Sequence, residues 1–117
     1  MGTNASSVKS RAVPEGVSVQ DYVDSVINDH TITVFSKTWC PYCKTLKGLL
    51  SREYADVDIE YVEIDILEDG SAIHDVLVQK TGQSSVPNVF VKKQHIGGND
   101  DTQAAHRSGK LKELIAA

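Results

Sequence analysis

Residues 31 to 43 read TITVFSKTWCPYC, a β-branched run that meets a cysteine followed at once by proline. This junction constrains the chain more than any other feature. Short runs of Thr, Ile, Val and Phe favour a pleated, buried strand. Proline suits the first position of a helix, where its fixed φ is already helical and its missing N–H would have had no partner. The strand must therefore turn straight into a helix with Cys40 at the N-cap. That helix is expected to run to about Tyr54, with Cys43, Leu46, Leu50 and Tyr54 inward at helical spacing. Gly48 inside it costs about 1 kcal/mol relative to alanine and is expected to permit close approach to the sheet.

The remaining elements follow from the same signals. Ser18-x-x-Asp21 has the form of a capping box, and Val19, Val23, Val26 and Ile27 then share one helical face. IEYVEID (59–65) reads as a second strand. SAIHDVLVQKTG (71–82) reads as a helix stopped by Gly82. NVFV (88–91) and a short piece around His95-Ile96 form a hairpin about Lys92-Lys93-Gln94. After Gly97-Gly98, Asn99 or Asp100 caps a helix, and KLKELIAA closes the chain as another. The order α-β-α-β-α-β-β-α-α gives one parallel and one hairpin pairing. The expected fold class is α/β: a four-stranded mixed sheet with about five helices on its two faces. Residues 1–13 are small, polar and aperiodic and read as a flexible arm, with the folded domain over 14–117.

Composition excludes several classes. The chain has 117 residues, 40% hydrophobic and 24% charged, which suits a single globular domain. A net charge of -4 disfavours nucleic acid, although Lys37, Lys44 and Lys47 surround the cysteines. No apolar run approaches the roughly 20 residues that span a bilayer, so no transmembrane segment is expected. Met1-Gly2-Thr3-Asn4-Ala5-Ser6 fits the loose N-myristoylation pattern at Gly2, a pattern that arises easily by chance, and one acyl chain alone binds membranes marginally. Cys40 and Cys43 are the only cysteines, too few for a secreted disulfide scaffold. A reducing, cytoplasmic compartment fits them better.

What the pair does follows from its placement. At the N-cap the Cys40 sulfur faces free N–H groups and the positive end of the helix dipole, which favours thiolate. Cys43 lies nearly one turn further in and can reach back to Cys40. One thiol is placed to attack and the other to resolve. A zinc site would need four ligands, whereas C-x-x-C supplies two and the histidines His30, His74, His95 and His106 are scattered, so no metal is expected.

With C-P-Y-C at a strand–helix junction, SVPNVFV at 85–91 and GGNDD at 97–101, the chain resembles a dithiol glutaredoxin of the thioredoxin-fold superfamily over residues 18 to 116. Trp39 is reminiscent of thioredoxins, which share the fold but carry Gly-Pro where this chain has Pro41-Tyr42. The resemblance implies glutathione as reducing co-substrate and a glutathione site. There Lys37 meets the glycine carboxylate, and Val86, before a cis Pro87, offers its backbone to the cysteinyl unit. Gly98 and the amide of Asp100 hold the γ-glutamyl carboxylate, Asp101 takes the ammonium, and Tyr42 forms a partly exposed lid. Two positions depart from the family pattern. His74 stands where many relatives have a glutamine that helps hold the glycine carboxylate, and can still donate a hydrogen bond there, more tightly when protonated. Ser84 stands where many have Arg or Lys, so one anion contact is absent. Both bear on glutathione affinity and not on the reaction type.

The implied activity is that of a glutathione-disulfide oxidoreductase. Cys40 thiolate would attack glutathionylated proteins and mixed disulfides, and Cys43 would resolve protein disulfides. The implied partners are glutathione, glutathionylated proteins and, indirectly, glutathione reductase, with the protein acting as a monomer. Two other readings remain at this point: a thioredoxin-like protein disulfide reductase, and an iron–sulfur carrier using the first cysteine and glutathione. Relatives of the second kind usually have Gly or Ser where Pro41 sits.

Overall fold

The computed structural model describes residues 9–117. The Gly2 acylation pattern and the first eight residues of the expected arm lie outside the described residues. Helix α1 spans Val19–Asp29, strand β1 Ile32–Ser36, helix α2 Pro41–Glu53 and strand β2 Ile59–Glu63. A single 3-10 turn, Ile64–Ile66, leads to α3, Gly70–Thr81. Then come β3, Asn88–Val91, β4, Gln94–Gly97, α4, Asn99–Arg107, and α5, Lys110–Ala116. Among the described residues no helix is long and apolar enough to cross a membrane.

The strands lie in the order β2-β1-β3-β4, with β1 parallel to β2 and antiparallel to β3, and β3 antiparallel to β4. Because β1 is central, all five of its residues are buried. Alternation along the strands sends its side chains to two cores. Ile32 and Val34 join Leu46, Leu49, Leu50, Tyr54, Val89, Val91 and Leu111 under α2 and α5. Phe35 joins Val23, Ile27, Val62, Ile73, Leu77 and Phe90 under α1 and α3. Phe35 and Phe90 meet edge to face at 6.0 Å, an arrangement worth about 0.5–1.5 kcal/mol beyond its burial. The expected mixed sheet with helices on both faces is therefore the observed architecture.

Local signals place most boundaries within a residue or two. Ser18 Oγ accepts from the Asp21 N–H at 3.0 Å and starts α1, while Gly82, at φ 77°, ends α3. Three readings change. The second strand stops at Glu63 because its partner β1 stops at Ser36, so Ile64 and Asp65 enter the 3-10 turn. Gln94 belongs to β4, leaving Lys92 and Lys93 as a two-residue turn with φ of 49° and 71°. That is the doubly left-handed form that matches strand twist.

The third change concerns the end of the expected arm, which is docked. Ser10 bridges Leu67 in parallel, Val13 is buried, and the carboxylate of Asp69 accepts the N–H groups of Ala12 at 3.1 Å and Val13 at 2.8 Å. A carboxylate that collects two backbone donors replaces the missing strand partners of this segment.

Gly48 makes no close approach to the sheet. A Cβ there would meet only Arg52 Nη1, at an ordinary 3.6 Å. With no steric reason for glycine, Gly48→Ala should raise stability by about 0.5–1 kcal/mol through helix propensity. A denaturant midpoint at or below that of wild type would contradict this.

Candidate functional site

The site is assembled where the C-terminal end of β1 runs into α2. The turn 37–39 is pinned by Asp65, which accepts from Thr38 N at 3.0 Å and Thr38 Oγ1 at 2.5 Å. Cys40 is the N-cap of α2, in extended backbone at φ -78° and ψ 122°, with Pro41 in the first turn. Its carbonyl accepts the first helical bond from Lys44 N at 3.1 Å. The junction inferred from 31–43 is thus the one observed.

Both cysteines are free thiols, with relative exposures of 5% at Cys40 and 0% at Cys43. Its chain neighbours Trp39 and Tyr42 are 65% and 64% exposed, in contrast to the buried sulfur-bearing residue. Tyr42 is more open than the lid the sequence suggests.

The two thiols titrate in opposite directions. Burial pushes Cys40 up, but the Cys43 N–H, the Cys43 thiol, the Tyr42 N–H and the Lys37 charge together outweigh it. The net result is a Cys40 thiol below its ordinary value. Burial also pushes Cys43 up, the neighbouring Cys40 adds to this, and hydrogen bonds from Lys37 N–H and Ser36 do not offset it. Cys43 therefore stays protonated where Cys40 ionises. The attacking and resolving roles read from helix position have this electrostatic basis.

Two cavities open beside Cys40. One, about 350 Å³, is lined by Tyr42, Val86, Pro87, Gly98, Asp100 and Asp101, six of the eight residues expected to hold glutathione. The Val86–Pro87 peptide is cis, and the Val86 carbonyl oxygen lies 3.8 Å from Cys40 Sγ. Gly98 caps α4, and Asp101 Oδ2 makes a long 3.4 Å contact with Gly98 N. Gly97 lies at φ 126°, where any L side chain is strained, and a Cβ there would also displace the Asp101 carboxylate. Gln83 also lines this groove, with Nε2 donating to the carbonyls of Ser85 at 2.9 Å and Pro87 at 3.0 Å. The sequence reading missed it; a polar residue directly after the Gly82 stop was its only signal.

Lys37 and His74 line the other cavity, also about 350 Å³, with Lys9, Trp39, Asp65 and Gly70. Lys37 Nζ lies 5.6 Å from the centre of the Trp39 ring. His74 Nε2 is 2.7 Å from the Ser84 carbonyl oxygen, which can only accept, so Nε2 carries the hydrogen and is already engaged. The hydrogen expected to serve a ligand carboxylate is, on that atom, given to the backbone of Ser84. Nor do the three lysines act together. Only Lys37 acts on Cys40, while Lys44 lines a groove between α2 and α4 and Lys47 pairs with Glu63.

Comparison with known proteins agrees with this arrangement. The glutaredoxin family model matches residues 32–96. Glutaredoxin-1 of Rhizophagus irregularis is 42% identical over 99 residues, covering 85% of this chain and 96% of that one. A glutaredoxin of Solanum lycopersicum is 47% identical over 90 residues, covering 77% and 82%. Among solved structures, a buckwheat glutaredoxin–glutathione complex superposes with a TM-score of 0.78 at 38% identity, covering 84% of this chain and 87% of that one. The holo form of glutaredoxin C1 from Populus tremula x tremuloides gives 0.77 at 34%, covering 84% and 95%.

Proposed function

Because this chain belongs to the glutaredoxin family, whose members are glutathione-dependent thiol–disulfide oxidoreductases, we infer that Cys40 is its nucleophile and that glutathione occupies the groove along Val86 and α4. The observation that carries the reading is a helix-capping sulfur, lowered below an ordinary thiol, at the head of that groove.

Chemistry follows from the two opposed thiols. Cys40 thiolate attacks the glutathione sulfur of a glutathionylated protein, the protein thiolate leaves, and glutathione stays bonded to Cys40. The groove supports retention of the glutathionyl half: Gly98 and the start of α4 offer N–H groups to a carboxylate, and Asp101 offers a carboxylate to an ammonium. A second glutathione then attacks the mixed disulfide and restores Cys40. With a protein disulfide, Cys43 attacks instead, and two glutathiones reduce the resulting Cys40–Cys43 bridge. A stabilised Cys40 thiolate is also a good leaving group, so the lowered thiol serves both halves of the cycle. Glutathionylated proteins are the substrates this selects, because the recognised moiety is the tripeptide and not the protein.

Turnover coupled to glutathione and glutathione reductase tests the reading; turnover with thioredoxin reductase alone would reverse it. The sign of the pH dependence is fixed as well. Thiolate is the reactive form, so attack by Cys40 should slow as pH falls through its lowered pKa and level off above it. Lys37→Gln removes the charge that favours the thiolate and should move the thiolate absorbance transition of Cys40 to higher pH. An unmoved transition would show that the helix terminus alone holds the thiolate.

A further inference from the structure

Between α2 and α4 lies a groove of about 460 Å³ that the scheme above leaves unused. It shares a rim, Asn99 and Asp100, with the groove assigned to glutathione. Its lining includes Lys44 and Arg52 from α2 and Arg107 from α4, all three exposed, against the single carboxylate of Asp100. Among the described residues none of these three cations forms an ion pair. On a chain of net charge -4 the groove is a local reversal of sign. Helix energetics account for only part of it. The macrodipole favours Arg52 and Arg107, each in the last turn of its helix, but it disfavours Lys44 close to the start of α2. Gly48, which no packing contact requires, lies between Lys44 and Arg52 in sequence and lines the groove with them. Four-residue steps carry Cys40 to Lys44, Gly48 and Arg52 along one inclined row of the helix. The row therefore starts at the nucleophile and leads away from it into the positive groove.

We propose that this groove docks an acidic segment of the glutathionylated protein, next to its modified cysteine. The proposal rests on the function inferred above: the tripeptide selects glutathionylated proteins as a class, and the groove ranks them within it. Charge complementarity and continuity with the glutathione groove identify the occupant. A polypeptide joined by a disulfide to glutathione at Cys40 has to leave across the rim of that site, and on the side of Asn99 and Asp100 it meets Lys44 first. The two arginines offer paired N–H donors that match carboxylates. From Cys40 to Arg52 the helix advances about 18 Å, at a rise of about 1.5 Å per residue. An extended segment rising about 3.3 Å per residue covers that length in about five residues. Acidic side chains within about five positions of the modified cysteine are therefore the ones in reach. Exposed ion pairs are individually weak, which suits the chemistry. Once the protein thiolate has left, only these pairs hold the product, and it is released readily.

Two glutathionylated peptides test this, identical except that one carries Glu and the other Gln at the positions flanking the cysteine. Turnover by the full-length protein is coupled to glutathione and glutathione reductase. At low ionic strength wild type should show a kcat/KM about 10-fold higher on the Glu peptide, mostly through KM, since each exposed pair contributes a few-fold at most. The preference should vanish in about 1 M salt, where the screening length falls to about 3 Å. The triple variant Lys44→Gln, Arg52→Gln and Arg107→Gln should lose the preference while keeping the wild-type rate on the Gln peptide and the wild-type thiolate transition of Cys40. A second triple variant, Lys93→Gln, Lys110→Gln and Lys112→Gln, changes net charge equally at exposed lysines outside the groove and should keep the preference. Absence of a preference in wild type, its survival in the first variant, or an equal loss in the second overturns the docking site; the last result would assign the effect to net charge alone. Failure of wild type to turn over either peptide would instead overturn the parent function, and the docking site with it.

Discussion

Cys40→Ser should lower deglutathionylation by about 10⁴-fold or more, the scale on which loss of an essential nucleophile is felt. Cys43→Ser should retain that activity. The difference follows from geometry. Cys40 is the thiol at the rim, lowered by helix N–H groups and Lys37, and it makes the only protein bond that the monothiol cycle needs. Cys43 is sealed beneath it and protonated, so its removal deprives the cycle of nothing until a protein disulfide is the substrate. There the second variant should fail, trapped as a mixed disulfide with its target. Initial rates on a glutathionylated peptide and on a protein disulfide, measured for both variants, check the pattern. Equal losses on the glutathionylated peptide would show that the reaction runs through the Cys40–Cys43 bridge.

The second large effect is structural. Gly70 opens α3 so close to the preceding turn that a Cβ would lie 1.8 Å from the Ile64 carbonyl oxygen and 2.9 Å from its carbon. Both are backbone atoms and no rotamer change relieves the overlap. Gly70→Ala must drive α3 away from the turn that carries Asp65, which pins Thr38 in front of Cys40. Overpacking of this kind costs about 3 kcal/mol or more, against about 1 kcal/mol gained in helix propensity. The net loss should lower Tm by about 5–15 °C, read by circular dichroism. A rise in Tm would mean that the turn yields freely. Gly48→Ala, where a Cβ makes only an ordinary contact with Arg52, is the internal control with the opposite sign.

These two glycines also mark where the amino-acid order stops being informative. Neither position announces its role in the amino-acid order; only the neighbour across space separates a required glycine from a dispensable one. Features set by adjacent residues were legible: Pro41 starts a helix, Gly82 ends one, and the β-branched run ahead of Cys40 is a buried strand. Features set by distant residues were not. Asp69 docks Ala12 and Val13 from more than 50 positions away, and two apolar residues carry no period that would announce it. Lys47 looked like part of a positive cluster until Glu63 claimed it. In the candidate site, the motifs marked the residues that line the groove, but Gln83, with no motif of its own, and the engaged Nε2 of His74 emerged only from the folded loop 82–87.

The docked segment has a practical corollary for anyone attaching a label to this protein. Lys9 borders the cavity that contains Lys37 and Trp39, whereas Ala117 is held by Lys92 at the far tip of the hairpin. A fluorophore, fusion partner or affinity handle joined on the front side of Lys9 meets the fold at that cavity, next to the turn that leads into the reactive sulfur. Attached behind Ala117, the same cargo rides at the opposite end of β3 from Pro87 and keeps clear of incoming substrates.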